Sequence, residues 1–333
     1  MMKKTMIALA AFAAATGAAH AQSNVTLYGV ADVYVARITT KTTTALGTTS
    51  FSTNETESGG LSGSRWGVRG VEDLGGGLKA TFQLESGIDI SEGLSTGFNR
   101  TSKVGLAGGF GSIDFGRQYT RVFNLIDSYD AQGTSNFSAT NAYFGGLSDA
   151  VRWDNSIVYA TPNLGGVNLS AQYAFGENAT PAASAGHGLG LSAGYTGGPF
   201  SIQGAYQTVD AGGAAPTEKT AAVGVSYDLG VVKLMGQFIH QKDGVTNGIV
   251  EKFQHVSVSV PVGSQSAFNV GLGREREKTA GVTTAETDAF GVQYQYSLSK
   301  RTTMYAAIAH LKTDVAGGSF KNQQYALGMR HAF

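Results

Sequence analysis

From Val25 onward, apolar and polar side chains alternate one by one. Val25, Leu27, Gly29, Ala31, Val33 and Val35 fall on one face of 25–35, and Thr26, Tyr28, Asp32 and Tyr34 on the other. The same period returns at 166–175, where Val167, Leu169, Ala171, Tyr173 and Phe175 alternate with Asn168, Ser170 and Gln172. It returns again at 290–298, with Phe290, Val292, Tyr294, Tyr296 and Leu298 set against Gln293, Gln295 and Ser297. A period of two is that of a β-strand with one apolar and one polar face. The pattern predicts an all-β chain, although a soluble sandwich would alternate in the same way.

The connections separate these architectures. Tight, glycine- or proline-marked turns fall at 73–77, 108–111, 162–166, 197–199, 228–230, 261–264 and 299–301. Between them lie longer polar stretches near 38–63, 91–99, 120–150, 177–188, 210–219, 241–250, 275–286 and 313–321. Seven short turns alternating with eight long connections predict a 16-stranded antiparallel transmembrane β-barrel with short periplasmic turns and long external loops. A barrel of that size leaves an aqueous channel, and its closed sheet leaves no backbone edge unpaired in lipid. Both chain ends of the barrel then lie on the periplasmic rim, and aromatic residues near strand ends suit interfacial girdles.

The first residues change the cellular setting. Lys3 and Lys4 precede an apolar run from Met6 to about Ala15 and the small-residue end Ala19-His20-Ala21. This is the pattern of a cleaved signal peptide at 1–21, leaving a barrel at 22–333, and the run is shorter than the roughly 20 residues of a spanning helix. There is no cysteine, so an exported chain of this length has no disulfides and needs extended hydrogen bonding for its stability. Charged residues make up 14% and cancel to a net charge of zero, which argues against nucleic acid as a partner and against a disordered chain. At the other end, 325–333 carries apolar or aromatic side chains at alternate positions and closes on Phe333. That ending is read as an assembly signal, with periplasmic chaperones and the barrel assembly machinery as its readers.

Several segments resemble, in order, those of the Gram-negative general porins, particularly the β-proteobacterial type. They are Val25-Thr26-Leu27-Tyr28-Gly29, the run from Ser64 to Leu78, Gly111 to Arg117, Asp154 to Asn163, and Leu298 to Thr302 with the Arg330-His331 ending. The resemblance spans essentially the whole mature chain. It implies a homotrimer in the outer membrane, in contact with its lipid and lipopolysaccharide, and a third loop folded into the lumen. It further implies passive diffusion of small hydrophilic solutes and ions, with acidic loop residues facing basic wall residues at a constriction. Asp127 and Asp130, within 120–150, are the candidate loop acids; Asp149 also lies there. Arg117 resembles a residue that accepts a latch from a neighbouring subunit's second loop, in which Glu92 is the acid.

Parity supplies the basic wall. A charge at the bilayer midplane costs ~2–4 kcal/mol, so Arg65 and Arg69 belong inside and Trp66 outside. Lys103 is placed inside, out of phase with Val104 and Leu106. Arg152 is placed inside with Asp154 and Ser156, and Trp153 outside. Arg100 is out of phase with Lys103 and needs a bulge or a loop position to turn inward. Lys79, Lys233, Asp228 and Arg330 are discounted as lying near the periplasmic turns, whereas Asp32 and Glu85 count as inward acids near mid-barrel.

Two other functions compete with this reading. A barrel enzyme needs a nucleophile with a base in reach, whereas His187, His240, His255, His310 and His331 are scattered over separate segments, where surface or interfacial placement is expected. No H-E-x-x-H motif occurs and the histidines belong to no recognisable triad, so no enzymatic activity, cofactor or metal is expected. A substrate-specific channel of the same fold would line its path with aromatic residues, and only Tyr28 and Tyr34 begin such a line.

Overall fold

A computed structural model describes residues 24–144, 151–176, 187–210, 217–242 and 248–333. The expected signal peptide at 1–21, the loop residue Asp149 and parts of several expected loops lie outside the described residues. Among the described residues, eighteen strand segments follow one another almost entirely as antiparallel neighbours. Two of them, Gly47–Ser58 and Arg65–Gly75, lie end to end along the same partner, one against Val33–Thr44 and the other against Asn24–Val30. They are one strand with a break. The two-residue segment Leu94–Ser95 touches only the end of its neighbour. Sixteen barrel strands result, as expected.

In chain order these are β1 (Asn24–Thr44), β2 (Gly47–Ser58 with Arg65–Gly75), β3 (Leu78–Asp89) and β4 (Thr101–Gly108). Next come β5 (Gly111–Tyr119), β6 (Arg152–Ala160), β7 (Val167–Ala174) and β8 (Gly188–Gly197). Then follow β9 (Phe200–Val209), β10 (Glu218–Asp228), β11 (Lys233–Lys242) and β12 (Val250–Val262). The last four are β13 (Ser266–Thr279), β14 (Val282–Ser297), β15 (Thr302–Val315) and β16 (Gly318–Ala332). Among the described residues the helices are α1 (Arg121–Ser128) and α2 (Asn141–Phe144), both in the third loop.

Alternation places the side chains as the sequence implied. Val25, Leu27 and Val35 of β1 are open to the outside, while Asp32 and Tyr34 are buried within. The apolar core of a soluble domain is thus turned inside out, and most large apolar side chains of the strands face lipid.

Three of the polar stretches expected to be loops are instead ladder. β1 and β2 stay paired up to Thr44↔Gly47, β13 and β14 up to Thr279↔Val282, and β15 and β16 up to Val315↔Gly318. Beyond the bilayer neither face needs to be apolar, so alternation ends while hydrogen bonding continues. A polar sequence there reads as loop although it is strand.

The break in β2 has a different cause. Segment 59–64 turns inward around Asp32, whose carboxylate accepts from the amides of Gly60 (3.2 Å), Leu61 (2.8 Å) and Ser62 (2.9 Å) and from the Tyr305 hydroxyl (2.6 Å). Asp32 is therefore a structural acceptor with no exposure to the lumen, which corrects its counting as an inward opposing charge.

Closure joins the two ends of the chain. β16 pairs with β1 from Val30↔Ala332 to Thr43↔Ser319, and Phe333 exchanges backbone hydrogen bonds with Gly29 at 3.0 and 3.1 Å. A Cβ at Gly29 would run into the Phe333 ring, so the aromatic terminus occupies the place a side chain would take. Gly29→Val is expected to weaken the seam by about 1–3 kcal/mol through overpacking. Its heat-modifiable mobility shift in gel electrophoresis should move to lower temperature, and an unchanged transition would show that the Phe333 seat does not stabilise closure.

Candidate functional site

The lumen is shaped by the third loop, which leaves β5 at Thr120 and folds inside the barrel. Thr120 caps α1, its hydroxyl accepting from the Phe123 amide at 3.1 Å. The helix buries Val122, Leu125 and Ile126 in a cluster with Ala205, Ala222, Ile239 and Phe253 of the wall. This apolar contact holds the loop against β9–β12.

Beyond α1 the chain turns tightly around one buried carboxylate. Asp130 accepts from the amides of Gln132 (2.8 Å) and Thr134 (2.9 Å) and from the hydroxyls of Ser138 (2.5 Å) and Thr140 (3.2 Å). His255 of β12 lies 3.7 Å away, and both side chains are fully enclosed. The His255 Nδ1 faces the Gln237 side-chain amide at 3.2 Å, which leaves Nε2 turned to Asp130. The expected surface placement of the histidines thus fails for His255.

The wall under the loop is lined with glycine. A Cβ at Gly224 would strike the Tyr129 ring, one at Gly271 the Gln132 side chain, and ones at Gly273 and Gly291 the carbonyl oxygens of Ala139 and Phe137. The loop backbone therefore lies directly on the sheet. Gln293 adds a short hydrogen bond to the Ser135 hydroxyl.

Opposite the loop stands a group of cations. The Glu85 carboxylate takes Arg100 Nε at 2.8 Å, Arg65 Nε at 3.6 Å and the Tyr28 hydroxyl at 3.0 Å. Arg100 Nη2 donates to the Tyr119 hydroxyl at 3.1 Å, and Arg152 lies over the same ring with its Cζ 4.1 Å from the centroid. Arg330 Nε donates to Ser62 Oγ at 3.1 Å. Arg65, Arg100, Arg152 and Arg330 line one space of about 960 Å³, with Asp127, Thr134 and Asn141 of the loop on its other side. Arg330, discounted from the sequence as lying near a periplasmic turn, thus lines this space as well.

Other candidates lie apart from that space. Lys103 pairs with Asp114 at 3.1 Å and lines a smaller space beneath α1, shared with Arg65 and Glu85. Arg69 packs over the Tyr28 ring at 4.9 Å, two positions nearer the periplasmic turn than Gly67. Asp127 faces the space and accepts from the Thr134 hydroxyl at 2.8 Å, whereas Asp130 is enclosed in its turn. Arg117 points away from the lumen, its Nη1 2.6 Å from Asp154, and Glu92 is exposed in the second loop.

The phase of β6 needs correction. Trp153, expected outside, is buried against Gly188 and Gly190, whose neighbours Leu189 and Leu191 face out. The register of β5 with β6 shifts between Gly116 and Gln118, and Asn155 has φ 45°. Such a bulge reverses the alternation on its far side. Arg152 comes to the lumen at the end of the strand, while Asp154, expected to share its phase, pairs with Arg117 instead.

Arg121, the first residue of α1, has no role in the sequence reading. It donates to Gln172 and Ser170, each at 3.2 Å, and to the Tyr119 carbonyl at 2.7 Å. Burial pushes its guanidinium down to about 10, with Asp114 opposing the shift, so it stays charged at neutral pH. It ties the start of the loop to β7. No regular spacing marks it.

A family model described as Gram-negative porin matches residues 8–316. The chain belongs to this family. It is 36% identical to outer membrane porin protein 32 of Delftia acidovorans and 31% identical to an outer membrane porin protein of Bordetella pertussis, covering each chain in full. Among solved structures, an anion-selective porin from Comamonas acidovorans matches with a TM-score of 0.80 at 32% identity, over 93% of this chain and 100% of that one. The expected family, fold and outer-membrane location are therefore correct, and the protein is an outer-membrane porin.

In this porin Glu85 neutralises part of the arginine charge from behind. Glu85→Gln is expected to move the zero-current potential in a salt gradient toward anion preference. Because exposed charges are screened over about 8 Å at physiological salt, the shift should shrink as salt rises. A shift toward cation preference would mean that the freed arginines had left the lumen.

Proposed function

We propose that this porin is a passive diffusion pore with a modest preference for anions, set where Arg65, Arg100, Arg152 and Arg330 face Asp127. The observation that carries the reading is the imbalance of four guanidinium groups to one loop carboxylate around a single space. A rigid ring of one charge sign at the narrowest point raises the local concentration of the opposite ion without binding it tightly. The name of the Comamonas relative, an anion-selective porin, supports the same sign. Lys103 adds positive charge below the loop. Arg69, held over Tyr28 toward the periplasmic side, contributes less than Arg65, and Asp130 contributes through the loop's shape only.

The signal peptide at 1–21 is removed on export, periplasmic chaperones carry the chain, and Phe333 serves its recognition by the assembly machinery. The barrel assembles as a homotrimer in contact with lipid and lipopolysaccharide. Arg117, on the outer face, receives the neighbour's second loop with Glu92, and its own subunit supplies Asp154 and the Asn99 carbonyl on either side.

Single-channel recording in a planar bilayer tests the pore. Conductance should follow bulk salt conductivity without saturating, and Arg65→Gln with Arg100→Gln should move the zero-current potential toward cation preference. An unchanged potential would place the selective region elsewhere, and saturable flux of one sugar with negligible salt current would favour a substrate-specific channel.

Mass measurement in mild detergent should give three copies per particle that separate on heating. A monomer would remove the assigned role of Arg117.

A further inference from the structure

Two lumenal spaces, one of about 960 Å³ beside the third loop and one of about 320 Å³ beneath α1, share the lining residues Arg65, Tyr119 and Asn124. A solute that moves from one space to the other passes these side chains. Arg65 belongs to the basic wall and Asn124 to the loop. Tyr119 is the uncharged aromatic among them.

Its place is fixed from several sides. Tyr119 ends β5 directly opposite Arg152 of β6, and Thr120, the cap of α1, follows it at once. Its carbonyl accepts from Arg121 Nη2 at 2.7 Å. Its ring stacks on that of Phe123, in the first turn of α1, with centroids 4.7 Å apart and planes 9° from parallel. Strand, helix and stack together hold the phenol in one orientation.

The hydroxyl then joins two cations. It accepts from Arg100 Nη2 at 3.1 Å and, in a short hydrogen bond, from Arg152 Nη2. Arg152 also lies over the ring, its Cζ 4.1 Å from the centroid, so a cation–π contact adds to the hold. Like charges repel, and long arginine side chains lose rotamer freedom when they are fixed. An acceptor already in place offsets both costs.

The chemistry of that acceptor matters as much as its position. Glu85 holds Arg65 and Arg100 but cancels one of their charges. A phenol holds a guanidinium group and cancels nothing. Among the described residues Arg152 is in no ion pair, so its full charge faces the space it lines.

We propose that Tyr119 is a positioning residue for anion selectivity: its hydroxyl gathers Arg100 and Arg152 where the two spaces meet and keeps their charge on the solute path. This role rests on the anion preference proposed above. If selectivity followed from the number of charges alone, removing an uncharged hydroxyl would change nothing.

Zero-current potentials of single channels in a salt gradient test this with Tyr119→Phe, which keeps the ring, the stack and every charge. Loss of the common acceptor should let Arg100 and Arg152 move apart and lower the anion-to-cation permeability ratio by at least about twofold. Arg152→Gln should then cost less selectivity in the Tyr119→Phe background than in the wild type, because the two residues act as one unit. Arg152→Lys gives a second measurement should Tyr119→Phe not assemble. It keeps the charge, but an ammonium group cannot both lie flat on the ring and donate to the hydroxyl, so the ratio should again fall. Heat-modifiable mobility in gel electrophoresis checks that each variant folds. A wild-type potential in Tyr119→Phe, or losses that simply add in the double variant, overturns the inference. Arg65→Gln with Arg100→Gln separates its failure from that of the anion preference beneath it. If that pair shifts the potential and Tyr119→Phe does not, the preference stands and the positioning role falls; if the pair leaves the potential unchanged, both fall.

Discussion

Within a bilayer no water reaches an unpaired amide, so a chain that crosses it as strands must satisfy every backbone donor in the sheet itself. The uninterrupted run of partners from β1 to β16 and back to β1 is the direct result. Once the sheet is closed, its outer face must be apolar and its inner face is free to be polar. Among the described residues, the third loop is the long segment inside the barrel but outside the ladder, and it meets the same requirement locally. Asp130 collects four donors in one turn, and the wall supplies Gln237, Gln293 and Ser257 as further partners.

Where the ladder is regular, the sequence was a sufficient guide. Arg65, Lys103 and the lipid-facing residues of β1 follow from counting by two. Counting failed where an extra residue enters a strand, as at Asn155, because a bulge leaves no mark in hydropathy and reverses everything beyond it. It also failed above the membrane, where strands such as Gly47–Ser58 carry polar residues on both faces.

The loop acids illustrate a second limit. Asp127 and Asp130 are three residues apart in the same polar segment, yet one faces open space and the other is enclosed. Which of them meets the lumen depends on contacts with β12 and β14, more than a hundred residues further along the chain. The glycines at 271, 273 and 291 were a signal for those contacts, since inward positions with no side chain mark a surface that another backbone approaches. Arg330 was hidden for a related reason: its neighbour is the break in β2, and nothing in a linear reading brings 330 beside 62.

The seam between Gly29 and Phe333 has a consequence for the time course of assembly. Hairpins between successive strands can form locally, whereas the closing pair joins residues separated by nearly the full length of the barrel. It carries the longest sequence separation in the molecule and the largest loop-closure entropy. Until β16 is in place, any partly formed sheet keeps two open edges, each a template for pairing with another copy. The barrel is thus a fold whose safety against aggregation arrives only when β16 pairs with β1.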